Sequence, residues 1–299
     1  MKIDFFGEYL LNLNFGNVSE FRDIIESFYP LEKQDSLRNN LELSLLVDNN
    51  NFNLRFGLFG LHDTEAIIRL FRRYNHDYST AKSVNNIMEG FTPEYAIGID
   101  WKMNEKRLKT YFLRLPDNPR FEKEIAAKIY KLAYLLGIKS SHLSNIDKTQ
   151  CCLIGVDYYN SAKRNLKVYT REKTVNFAKI SKRISHNGIE TKCLDSIYSL
   201  FDENDFIESN QSYKYSNDCN NLSGYAVFFE TSHNVGEKVN LLINACHPEK
   251  FGDFKRIIGA LESNGLFVNY TNLGLTFSLK ERSESICLYY KIAGQKVIN

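Results

Sequence analysis

The chain has 299 residues, 43% hydrophobic and 25% charged, with Lys+Arg at 38 against Asp+Glu at 36. This is the composition of an ordinary globular protein, and balanced charge without a long basic stripe excludes the electrostatic footprint of a nucleic-acid binder. The run MKIDFFGEYLLNLNF carries Asp4 and Glu8, which a signal peptide lacks, and no apolar run approaches the ~20 residues that span a bilayer; a cytoplasmic protein off the membrane is expected.

In chain order, after a weak helical stretch at 17–29, β-type runs recur in pairs joined by polar turns: 41–60, 95–116, 151–172, 222–245 and 273–292. The second and third pairs match best. YAIGIDWKMNEKRLKTYFLRLP and CCLIGVDYYNSAKRNLKVYTRE both place Gly-Ile/Val-Asp in the first strand and Lys-x-Tyr in the second. Helical spacing fills the intervals at 64–75, 118–137 and 247–265, and less clearly at 173–186 and 190–201. Pro119 and Pro248 suit first helical turns, and Gly137 and Gly265 suit C-terminal caps. Turns are expected at Asp48–Asn51, Asn104 and Gly236, and the Ser/Asn-rich stretch 209–221 reads as a loop. No linker divides the chain, so residues 1–299 are expected to form one domain.

Five hairpins predict an α+β fold: a closed ten-stranded antiparallel barrel with helices packed outside, wide enough for a ligand. An open sheet wetted on one face is the alternative, but tandem hairpins would leave exposed edges. Alternation splits each strand into an aliphatic and a polar set. The aliphatic set, such as Leu43, Leu45, Leu108, Phe112, Leu166, Val168, Val239, Ile243, Ile286 and Leu288, should meet the helices. The other set collects Glu42, Arg55, Lys109, Tyr111, Lys167, Tyr169, Asn240 and Tyr289. Cations paired with phenols in a confined site suit a diphosphate, and aromatic faces stabilise a carbocation. Both are wanted when an allylic diphosphate ionises away from water. Glu42 can then remove a proton from an acceptor nucleophile.

These motifs resemble the ABBA-type aromatic prenyltransferase barrel and are most similar to its cyanobactin peptide-prenyltransferase branch. The resemblance rests on LELSLLV with Glu42, LRFGLFG with Arg55, IGIDWKMNEKRLKTYF, LIGVDYY…LKVY, GEKV at 236–239 and the closing LYY at 288–290. It implies Glu42 as the acceptor-side base and Arg55, Lys109 and Lys167, with Asn240 and Tyr289, on the diphosphate. Tyr111, Tyr169, Tyr225 and again Tyr289 shield the isoprenyl chain. It implies dimethylallyl or geranyl diphosphate as donor and a ribosomally made peptide, linear or macrocyclic, as acceptor. Magnesium would be held through diphosphate oxygens rather than by protein side chains, since no DDxxD-type cluster is present. Gly224 and Leu242 are candidates for setting donor length, and a monomer is the default. After EKV the branch tends to carry aromatics where this chain reads Asn240-Leu241-Leu242-Ile243-Asn244.

Two other readings keep the barrel: transfer to a small phenol or indole, and a non-catalytic carrier of a hydrophobic anion. Asp100 and Asp157 occupy equivalent strand ends, where a structural bond to the turn is expected, with catalysis as the alternative. His233 in the fourth turn lies near a barrel mouth, and His247 reads as a structural loop residue. Of Cys151 and Cys152 only one can face the lumen. Trp101 is expected to face the helices.

Overall fold

A computed structural model describes residues 41–48, 52–61, 64–73, 77–89, 95–102, 105–113, 119–144, 146–159, 162–189, 192–219, 221–263 and 266–294. The expected helix at 17–29 lies outside these residues, as do Asn104, Gly265 and the side chains of Asp100 and Trp101.

Strands β1 (Leu41–Val47) and β2 (Phe52–Leu61) form the first hairpin, followed by helices α1 (Thr64–Arg73) and α2 (Tyr78–Met88). Strands β3 (Tyr95–Lys102) and β4 (Glu105–Leu113) lead into α3 (Pro119–Leu135). After β5 (Cys151–Tyr158) and β6 (Arg164–Glu172) come α4 (Phe177–His186) and α5 (Lys192–Leu200). Strands β7 (Phe206–Ser216) and β8 (Leu222–Thr231) precede α6 (Gly236–Cys246) and α7 (Pro248–Ser263). β9 (Leu266–Ser278) and β10 (Ser283–Gly294) complete the set. All neighbours pair antiparallel and β1 closes onto β10, giving the ten-stranded barrel that the hairpins predicted, with no open edge.

Alternation sorts each strand between lumen and helix layer. Leu43, Leu45, Leu108, Phe112, Ile154, Val156, Leu166, Val168, Ile286 and Leu288 are at most 2% exposed and belong to one continuous core with the helices. Burying each such side chain contributes roughly 1.5–3 kcal/mol, so the helices hold the barrel closed. Local signals agree with the helix bounds. Pro119 and Pro248 open α3 and α7. After α3 the chain turns at Gly137, φ 72°, with the Ile138 amide donating to the Ala133 carbonyl at 2.8 Å. None of the described helices is long and apolar enough to cross a membrane.

The fourth hairpin differs from the expectation. It comprises 206–231 rather than 222–245. The stretch 209–221 is largely strand: Gln211, Tyr213 and Tyr215 turn toward the helices while Ser212, Lys214 and Ser216 turn inward, and Tyr213 pairs with Tyr225. The polar composition masked this alternation. Conversely, GEKVNLLINA is helix α6, so Gly236 is its first residue and not a hairpin turn. Val239, Leu241 and Ile243 alternate as a strand would, but Val239, Leu242 and Ile243 also follow helical spacing. Leu241 at 56% exposed shows which period won.

Candidate active site

One residue from each even-numbered strand meets at the middle of the lumen: Arg55 of β2, Tyr111 of β4, Tyr169 of β6, Phe228 of β8 and Tyr289 of β10. The four rings contact in series. Centroids lie 6.4 Å apart for Tyr111–Tyr169, 6.1 Å for Tyr169–Phe228 and 5.7 Å for Phe228–Tyr289. The odd strands answer with small side chains: Ser44 pairs with Arg55 and Tyr289, Gly155 with Tyr111, Ser212 with Tyr169 and Gly274 with Phe228. A Cβ at Gly274 would lie 2.6 Å from the Phe228 ring, so only glycine lets that ring lie against the wall. Large residues on one set of strands and small on the other make a narrow waist inside a wide barrel.

The waist separates two chambers of different character. Toward the hairpin turns is a chamber of about 320 Å³ lined by Arg107, Lys109, Lys167 and Lys214, with Lys163 and Lys280 at its rim. Toward the helical connections is a chamber of about 230 Å³ lined by Glu42, Phe59, Leu113, Cys152, Leu153, Arg171, Asn210 and Asn272. Arg55, Lys109 and the four waist rings face both.

Asp157 organises the cationic chamber. Its carboxylate, wholly inaccessible, takes Lys167 at 2.9 Å, Arg107 at 3.6 Å and the Asn165 amide at 3.2 Å. Asn165 and Arg107 also donate to the Tyr159 hydroxyl at 2.9 and 3.0 Å. Burial alone would raise the Asp157 pKa. The surrounding Lys167, Arg107, Lys109 and Lys214 overcome it and hold the group far below the carboxylate range. The expected bond from Asp157 to its turn is thus a bond to the chamber's cations. Those cations are themselves perturbed. Burial, opposed by Asp157, brings Lys167 down to about 8, and burial with Lys167 and Arg107 brings Lys214 down to about 7. Lys109, 4% exposed, is lowered by burial and by Arg107, Arg55 and Lys167. Arg55 donates to Cys287 Sγ at 3.7 Å and stays charged.

In the other chamber Glu42 is pushed up to about 7, chiefly by burial and slightly by Glu230, against the pull of Lys291 and a hydrogen bond from Thr271. Burial also raises Tyr111, Tyr169 and Tyr289, so these phenols remain protonated.

The structure therefore brings Glu42, Arg55, Lys109, Tyr111, Lys167, Tyr169 and Tyr289 to one lumen. Two expected residues stand elsewhere. Asn240 lies on α6, outside the barrel, beside a surface cavity of about 490 Å³ that His233 and Tyr270 also line. Tyr225 is on the helix-facing side of β8, where its hydroxyl donates to Gln211 at 2.6 Å and its ring packs on Tyr213. Phe228, in the opposite phase of the same strand, takes the place foreseen for it. Leu242 is buried on α6, and Gly224 faces the cationic chamber beside Lys214. His233 bonds to Ser232 and pairs with Asp205 at the helical end, and His247 is buried between α6 and α7. Cys152 lines the lumen while Cys151 is in the core. Lys214, Arg107 and Phe228 were not expected in the site from sequence. Lys214 was discoverable from the alternation in SYKYS.

Among the described residues no cluster of three His, Cys, Asp or Glu suits a metal. Asp157, wholly buried behind the cationic chamber, is engaged by Lys167 and Arg107, and Asp218 at the rim by Lys163 and Lys280. This donor set fits a polyanion and does not fit a divalent cation.

No protein-family model matches the sequence, and no curated protein matches it significantly. Solved structures do match the fold. A 5-dimethylallyl tryptophan synthase from Streptomyces coelicolor, in complex with DMASPP and Trp, superposes with TM-score 0.73 at 12% identity over 96% of this chain and 94% of its own. A 6-dimethylallyltryptophan synthase from Micromonospora olivasterospora, with the same ligands, gives 0.74 at 12% identity over 97% of both chains. PriB in complex with product diphosphate gives 0.72 at 11% identity over 97% and 95%. The chain thus has the closed prenyltransferase-type (ABBA) barrel. The likeness at this identity concerns the fold.

Proposed function

We propose that the protein is a prenyltransferase moving a dimethylallyl group from its diphosphate to an electron-rich aromatic acceptor of the indole or phenol class. One observation carries this reading: a cationic chamber and a carboxylate chamber meet at a single aromatic waist. Arg55, Lys109 and Lys167, helped by Arg107 and Lys214, would hold the diphosphate and take up its charge as the allylic C–O bond breaks and the electron pair leaves with it. The allyl cation would lie among Tyr111, Tyr169, Phe228 and Tyr289, whose ring faces stabilise it and whose packing excludes water. The acceptor would attack from the other chamber and lose its proton to Glu42, which titrates near neutrality as a general base should. The chain's own cations would neutralise the diphosphate directly, so ionisation would not depend on magnesium. A dimethylallyl donor and an aromatic acceptor also accord with the ligands of the tryptophan synthases that share the fold.

The Gly-Ile/Val-Asp and Lys-x-Tyr motifs favour a second reading, in which the nucleophile is a side chain or terminus of a peptide. An acceptor panel of tryptophan, free indoles, phenols, and linear and cyclic peptides, with dimethylallyl and geranyl diphosphates and mass-spectrometric detection, separates the two. Prenylated tryptophan or indole supports the main reading, prenylated peptide alone the second. Donor binding without product in any arm leaves a carrier. In the productive arm EDTA should lower the rate by less than about twofold, because protein cations already pair with the diphosphate.

The pH profile of kcat/KM is expected to be narrow. Glu42 must be deprotonated, so the rate rises as pH increases through about 7. Lys167 must be protonated to hold the diphosphate, so the rate falls as pH increases beyond about 8. A flat profile from pH 6 to 9 would contradict both assignments.

A further inference from the structure

β9 carries one residue more than the stretch of β10 opposite it. Tyr289 pairs with Asn272 and Tyr290 with Tyr270, so Thr271 has no partner in that ladder. A bulge of this kind takes one side chain out of the strand's alternation and re-aims it. Here the re-aimed group is a hydroxyl, and Thr271 Oγ1 donates to Glu42 Oε2 at 3.4 Å. The next strand pins the distortion. Thr231 Oγ1 of β8 donates to the Tyr270 carbonyl at 2.7 Å and reaches the Thr271 carbonyl at 3.3 Å. A bulge needed only to bend the barrel could carry any residue. This one sits beside a waist tyrosine and presents a donor to Glu42, the one carboxylate lining the acceptor chamber among the described residues.

We infer that Thr271 is a positioning residue: the bulge fixes Glu42 by one carboxylate oxygen and leaves the other for the acceptor proton. This rests on the reading of Glu42 as base. In the step it serves, the acceptor bonds to the allyl carbon, the diphosphate has left with the electron pair, and the displaced proton passes to the free oxygen of Glu42. A hydroxyl donating to a carboxylate favours the charged form. Among the described residues the other charges near Glu42 are Lys291 of β10, which also favours that form, and Glu230 of β8, which opposes it. Across the chamber stand Arg55 of β2, Lys109 of β4 and Arg171 of β6.

Thr271→Val removes the hydroxyl and keeps the branched shape. Carboxyl carbon NMR, with the Glu42 signal assigned by its loss in Glu42→Gln, should show the titration midpoint moving up by about half a unit or more. At neutral pH kcat should fall about 3- to 10-fold with the donor KM changed less than about twofold, and Thr271→Ser should restore both. Thr271→Ala is the second variant should the valine protein fail to fold. An unmoved titration, or an equal loss in Thr271→Ser, overturns the assignment. If Glu42→Gln keeps full activity while Thr271→Val still moves the carboxylate, the base reading has failed instead, and the purpose of the bulge with it.

Discussion

Glu42→Gln should reduce prenyl transfer by about 10²–10⁴-fold while binding of a non-ionisable dimethylallyl thiolodiphosphate stays within about twofold of wild type. A positioned base is worth that range, about 3–5 kcal/mol at 1.36 kcal/mol per decade. The donor should be nearly indifferent to the change because Lys167, Arg107 and Lys214 line only the cationic chamber, beyond the waist from Glu42. Stability should move the other way. A carboxyl whose folded pKa is raised to about 7 contributes no penalty below the unfolded value, and one that grows as pH rises to about 7 and is constant above it. Glu42→Gln removes that penalty, so at pH 8 the variant should be more stable by about 1–3 kcal/mol, discounted for the half-buried position. Loss of activity with a gain in melting temperature distinguishes a strained catalytic group from a damaged fold. Wild-type turnover in the variant would remove Glu42 from the mechanism.

Asp157→Ala should be the most destabilising single change in the lumen, costing about 3–5 kcal/mol, because it leaves Lys167 and Arg107 buried without their carboxylate. Asp157 is held below the carboxylate range, so its stabilisation is present above the unfolded pKa and lost only in strong acid. Between pH 5 and 7 the deficit should therefore not depend on Asp157's own titration. Inorganic diphosphate provides the decisive control. It would occupy the same cations, and saturation at about 100 times its Kd adds about 2.7 kcal/mol to any protein that binds it only when folded. Thermal melts at slightly acid pH should show a larger diphosphate-induced rise in the variant than in wild type. A variant as stable as wild type would mean that Asp157 is not what holds these cations, and one that diphosphate does not rescue would mean that they are not a diphosphate site.

The barrel was legible because alternation and helical spacing survive in most segments. Leu108 and Phe112 against Lys109 and Tyr111 fix the lumen face of β4 without further information, as Leu166 and Val168 against Lys167 and Tyr169 do for β6. The fourth hairpin defeated the same reasoning for two physical reasons. β7 turns Ser212, Lys214 and Ser216 into a polar lumen and buries polar Gln211 against Tyr225 on its other side, so the alternation is confined to the short run SYKYS inside a Ser/Asn-rich stretch. β8 is buried on both faces, leaving composition unable to choose between Tyr225 and Phe228. Misplacing that hairpin by one element carried Asn240 into the expected site and left Lys214 out. The bulge at Thr271 was beyond reach, since it exists only in the register between β9 and β10.

A crystal structure with dimethylallyl thiolodiphosphate bound would test the two-chamber reading most directly. The diphosphate should lie within hydrogen-bond distance of Arg55, Lys109 and Lys167, with the prenyl carbons among the rings of Tyr111, Tyr169, Phe228 and Tyr289 and Glu42 beyond them. Diphosphate density on the outer surface, or in the carboxylate chamber beside Glu42, would contradict it.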